Sequence, residues 1–241
     1  MKALSIELIK CKRSGVASIM AVAGLFGALY IFAVFFVRNE TLMALPMPPM
    51  DILLTQAYGL IAVINMFSII VAACLIYRTE YAERAIQKMY ALPIKAVGLY
   101  GCKACILVVS LIVVFVVQYS ILGIVGNMYL PEYAFEISTF LEYSVYTFLS
   151  TLPVVLFMLV IASQSANMWI VLGVGVVGFF SGMAMSLMDS IWFLINPFSL
   201  MLAPALSSSA MLENEVIIIA IVKTVVFVLV GIKLTDIARH E

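Results

Sequence analysis

Residues 104–125 read ACILVVSLIVVFVVQYSILGIV, without one charged side chain. A helix rises about 1.5 Å per residue, so this run covers about 33 Å, enough to cross a bilayer's hydrocarbon core. Five further stretches have the length and apolarity to do the same: Val16–Val37, Ile52–Tyr77, Tyr143–Ala162, Met168–Met188 and Val216–Ile232. Only the last carries a charge, Lys223. Over the whole chain 65% of residues are apolar and 11% charged, where a soluble domain has about 45–50% and about 25%. There is too little polar surface to coat a soluble globule. The sequence predicts an all-α membrane protein of six transmembrane helices.

Orientation follows from the placement of Lys and Arg. An even number of spans puts both termini on one side. That side holds 11 of the 13 basic residues: Lys2, Lys10, Lys12, Arg13, Arg78, Arg84, Lys88, Lys95, Lys103, Lys233 and Arg239. The other side holds Arg38 and eight carboxylates: Glu40, Asp51, Glu132, Glu136, Glu142, Asp189, Glu213 and Glu215. Both termini are therefore expected to be cytoplasmic. A formal net charge of zero gives no reason to expect a nucleic-acid partner. The amino end, MKALSIELIKCKRS, leads straight into a full-length span, so no cleaved signal peptide is expected. Residues 1–15 read as an amphipathic interfacial helix, and 16–241 as one six-span domain.

The loops differ in kind. The outer loop Arg38–Asp51 contains PMPP and is expected to lie along the headgroups; its Asn39-Glu40-Thr41 is a glycosylation sequon. Between spans five and six, Ile191–Ile195 and Phe198–Leu206 are too short to cross. Asn196-Pro197 has the form of a helix start, with Asn as N-cap and Pro in the first turn. One or two short helices dipping into the outer leaflet, with Trp192 at the interface, are expected here. On the inner side, Ala82, Ala85, Ile86 and Met89 make an apolar helical stripe, with Glu80, Glu83, Arg84, Gln87 and Lys88 on the opposite face. Thr79 suits the N-cap, and Pro93 ends the run. A short amphipathic helix should lie flat there, its mixed charge turned to the cytosol. Its bland reading is an interfacial connector.

Six spans with both ends inside, the segment Glu7-x-x-Lys10-x-Lys12-Arg13-Ser14, the charged helix followed by ALPI after span two, and the short apolar pieces before span six resemble the ABC-2 type permeases. Length and the amino-terminal run are similar to the permease subunits of lantibiotic-immunity transporters. The resemblance implies that the helix after span two is a coupling helix, with Glu80, Glu83, Arg84, Gln87 and Lys88 docking on a separate P-loop ATPase. It also implies a second permease subunit, the same chain or a related one, and spans two and five facing that partner. The setting implied is the plasma membrane of a bacterium. ATP and Mg would be bound by the ATPase; no G-x-x-x-x-G-K-[ST] occurs in this chain. An export function follows, the first substrate being an amphipathic, membrane-active peptide of lantibiotic type. A drug, lipid or glycan is the alternative within the fold, and a membrane scaffold or sensor the alternative outside it.

Other motifs carry less. Gly173-x-Gly175-x-x-Gly178 has dinucleotide-binding spacing but lies inside a span, where glycines serve close helix packing, as do Gly178 and Gly182. Cys102-x-x-Cys105 has no second pair to complete a zinc site, and Cys11 and Cys74 read as apolar filler. The single histidine, His240, and the span-end positions of Asp51, Asp189 and Asp236 leave no equipment for catalysis, so no enzyme and no metal are expected. Asn65 and Gln118 either hydrogen-bond between helices or line a pathway. Lys223 either snorkels outward towards Glu213 or Glu215, or serves a subunit interface or pathway. Glu213, Glu215 and Asp189 could attract a cationic peptide, or be acidic only because basic residues stay inside.

Overall fold

The computed structural model describes residues 7–11, 14–81, 96–131, 134–185, 195–207 and 209–240. Residues 7–11 are helical, and seven longer helices follow: α1 (Val16–Met43), α2 (Pro49–Tyr81), α3 (Ala96–Tyr129), α4 (Ile137–Gln164), α5 (Met168–Met185), α6 (Pro197–Leu206) and α7 (Asn214–His240). All but α6 are long and apolar enough to cross a membrane, so the six-span reading holds. Gly15, at φ 84°, turns the chain into α1. The spans overrun their predicted ends. Helix α1 passes Val37 and continues across a kink at Arg38, putting the Asn39 sequon in a helix and not in a headgroup loop.

Helices α2 and α4 form the centre. Of their most apolar windows, 61% and 67% are buried, against 22% for α5 and 17% for α7. Helices α1 and α3 pack together and α1 also against α2, while α7 lies on α4 and α3. The outer helices present Leu25, Phe36, Val113, Phe180, Val222 and Leu229 outward. A water-soluble surface could not carry so much apolar area, whereas a bilayer covers it. Span two, expected to share a partner-facing surface with span five, is enclosed by its own chain and exposes only Gln56, Leu60, Phe67 and Arg78 along its length.

The short helix corrects one expectation. The Asn196-Pro197 start is as read, with the Asn196 Oδ1 accepting from the Phe198 N–H at 3.0 Å and Pro197 in the first turn. Yet α6 does not lie on the lipid. Pro197 to Pro204 are buried, enclosed by α2, α4 and α5. A helix at membrane depth must have its terminal carbonyls satisfied. Tyr143 donates to the Pro204 carbonyl, in the last turn, at 2.8 Å, and Tyr58 to the mid-helix Met201 carbonyl at 2.9 Å. The Ala210 N–H, just beyond, donates to Asp51 at 3.0 Å. Two core tyrosines thus make a buried seat for a helix that composition alone would leave at the surface. Trp192 and Ile191 lie outside the described residues.

Candidate functional site

Among the described residues the buried charged groups gather at one end of the bundle, where α2 ends and α3 begins. Lys103 is 1% exposed and stands in the first turns of α3. Its ammonium donates to Glu7 Oε2 at 2.7 Å, lies 2.8 Å from Glu80 Oε1, and reaches the Ile76 carbonyl at 3.5 Å. The Tyr77 ring lies beneath it, 5.1 Å to the centroid. Lys10 closes the set, 2.6 Å from Glu7 Oε1 and 3.6 Å from Glu80 Oε1. Two ammonium and two carboxylate groups cancel in charge, which is how they tolerate burial. Burial alone would push the Glu7 carboxyl up; the adjacent Lys103 and Lys10 outweigh it and hold it below its ordinary value.

This arrangement is a clamp. It fastens the amino-terminal segment to the last turn of α2 and the first turns of α3, the two helix ends that bracket residues 82–95. It also corrects the reading of Glu80. That residue is 4% exposed and inside α2, facing Lys103, because a carboxylate with a buried ammonium in reach gains more there than at the surface. Thr79 is likewise no N-cap: it sits within α2 and its hydroxyl donates to the Ile76 carbonyl at 3.4 Å. Glu83, Arg84, Gln87 and Lys88 lie outside the described residues.

Asn65 and Gln118 meet at the centre of the bundle. Each amide donates to the other at 2.9 Å, and Gln118 also donates to the Ala23 carbonyl at 3.2 Å, so one pair joins α1, α2 and α3. The pair therefore hydrogen-bonds between helices. Gly27 makes room for it, since a Cβ there would lie 2.3 Å from Gln118 Nε2. Gln118→Leu alone should cost about 1–2 kcal/mol by orphaning the Asn65 amide, and Asn65→Leu with Gln118→Leu should cost less than the two singles together. Thermal unfolding of the purified chain in detergent reads both.

The remaining predicted positions stand apart. Lys223 donates to the Ile195 carbonyl, just before α6; among the described residues no ion pair joins it to Glu213 or Glu215. Those two are exposed around the start of α7, and Asp189 lies outside the described residues. Buried Thr147, Ser150 and Thr151 return their hydroxyls to α4's own carbonyls at 2.8–3.0 Å. Among the described residues no group of side chains could hold a metal ion. The clamp was missed in the sequence because Lys103 stands 96 residues from Glu7 and 23 from Glu80, beyond any helical spacing; the one visible sign was Lys103, set in an otherwise uncharged GCKAC.

Six apolar spans around an enclosed short helix, with a charged clamp at one end, define a polytopic helical membrane protein. The chain belongs to the ABC-2 family of transporter proteins, whose family model matches residues 3–182. It is a multi-pass membrane permease subunit of an ABC transporter, and such a subunit works with an ATPase partner. Comparison with curated proteins gives no match.

Proposed function

We propose that this permease drives export of an amphipathic, membrane-active substrate, a cationic peptide of lantibiotic type being the first choice and a drug, lipid or glycan the alternative. Both termini are cytoplasmic in this reading, residues 1–15 form the interfacial arm and residues 16–241 the permease domain, in a bacterial plasma membrane. The ATPase, which carries ATP and Mg, docks on Glu83, Arg84, Gln87 and Lys88. The chain itself is non-catalytic and pairs with a second permease subunit, of the same or a related sequence.

The observation that carries this reading is the clamp. A docking segment transmits force only if its ends are anchored to the spans, and Glu80 and Lys103 anchor both ends of 82–95 to one another and to Glu7. The peptide choice rests on the exposed Glu213 and Glu215 at the far end of the bundle, which favour a cation in the outer leaflet.

Purification of the chain from its host in mild detergent should bring down a P-loop ATPase in stoichiometric amount. The triple charge reversal Glu83→Lys, Arg84→Glu and Lys88→Glu should lower the co-purified ATPase at least tenfold, while membrane insertion is unchanged. Undiminished association would remove the docking assignment. Glu80 is left out of the set, since reversing it would break the clamp.

A further inference from the structure

We infer that a cleft at the clamp end of the bundle, on the opposite side of α2 from Glu80, binds the phosphate headgroup of an anionic phospholipid. The cleft has a volume of ≈ 360 Å³ and lies between the end of α2, the end of α4 and the start of α5, with Cys74, Tyr77, Arg78, Tyr81, Ser165 and Met168 among its walls.

Its one charged group is Arg78, which is exposed. Glu80 follows two residues later, about 200° around the helix, and so faces the clamp on the other side. The clamp takes up Glu7 and Glu80 with Lys10 and Lys103. Among the described residues no carboxylate pairs with Arg78. A guanidinium offers five N–H donors in a fork suited to phosphate. The start of α5, at Met168, adds the positive end of an 18-residue helix.

The rest of the cleft suits a lipid better than a free anion. Cys74 is four residues into the span from Arg78, about 6 Å deeper, and Val171 and Ala162 complete an apolar floor. The Tyr81 hydroxyl donates to the Ser163 carbonyl at 2.6 Å and closes the wall between α2 and α4. A cationic rim above an apolar floor at a span end matches a headgroup with the first carbons of its chains. Inorganic phosphate would satisfy the rim and leave the floor uncovered. Trp169, 75% exposed beside Met168, places this end of α5 at an aromatic interface level.

The site needs no ATPase, so it stands or falls separately from the transport reading. The chain, purified in mild detergent and passed into nanodiscs of equal phosphatidylcholine and phosphatidylglycerol, is released and weighed by native mass spectrometry. One retained phosphatidylglycerol per chain is expected, with Arg78→Gln lowering its retention about fivefold. Lys233→Gln, at an exposed position near the same end of α7, should change nothing. A second measurement needs no variant: phosphatidylglycerol, and not phosphatidylcholine, should raise the thermal midpoint of the wild-type chain. Equal retention by wild type and Arg78→Gln, or equal retention of the two lipids, overturns the site. Displacement of the lipid by millimolar inorganic phosphate would assign a free-anion site and overturn the lipid reading.

Discussion

Lys103→Met is expected to destabilise the folded chain by about 3–5 kcal/mol, the usual cost of removing one partner from a buried ion pair. The lysine is 1% exposed and meets two carboxylates at 2.7 and 2.8 Å. Without it Glu7 and Glu80 face each other across a buried space with only the half-exposed Lys10 between them. The triple change Glu7→Gln, Glu80→Gln and Lys103→Met removes the charges together and should recover most of the loss. The midpoint temperature for heat-induced loss of the monodisperse detergent-solubilised peak reads all three proteins. If Lys103→Met were as stable as wild type, the clamp would be ornament. The same clamp gives an acid signature. The Glu7 carboxyl is held below its ordinary value of 4.5, so its contribution is complete above pH 4.5 and is lost as pH falls through the lowered folded value. Wild-type stability should therefore fall in that acid window, and Glu7→Gln should flatten this part of the profile.

The clamp also explains where the sequence misled. Apolar runs located every span, since a charge-free stretch long enough to cross has few other uses. Their ends were set at the first charge, however: Tyr77, before Arg78 and Glu80, and Ala104, after Lys103. Helix α2 runs on to Tyr81 and α3 starts at Ala96, because Glu80 and Lys103 neutralise each other and can remain helical and buried. A charge ends a span only when it needs water. Thr79 and Glu80 looked like the start of a new helix for the same reason, as local spacing holds no trace of a lysine 23 residues further on. Asn196-Pro197 was legible because a cap acts within a single turn. That α6 sits inside the bundle was not, since ten apolar residues suit an interface and an interior alike. What decides between them is Tyr58 and Tyr143, hydroxyls on two distant helices that donate to its Met201 and Pro204 carbonyls.

Gly178→Ala should cost about 1–3 kcal/mol, and the loss should be partly relieved by Phe198→Leu. A Cβ at 178 would stand 2.3 Å from Phe198 Cε2, on a ring that is 1% exposed and packed edge-on against Phe157 at 6.0 Å. The ring has nowhere to go, but a smaller side chain vacates the space. Phe198→Leu alone leaves a void and is itself destabilising, so the double variant should be better than the sum of the singles by about 0.5–3 kcal/mol. Gly182 supplies the contrast. There the obstacles are Phe198 Cβ at 2.8 Å and the Ser199 backbone nitrogen at 3.0 Å, which no change of ring removes. Gly182→Ala should be destabilising and additive with Phe198→Leu. Thermal midpoints of the five variants and the wild type decide the matter. Rescue at 178 with none at 182 means that α6 is fixed on α5 at its backbone and adjusts only through the ring. Equal rescue at both means that α6 shifts as a unit along α5. Stability unchanged by either alanine would mean that α6 is not seated on α5 at all.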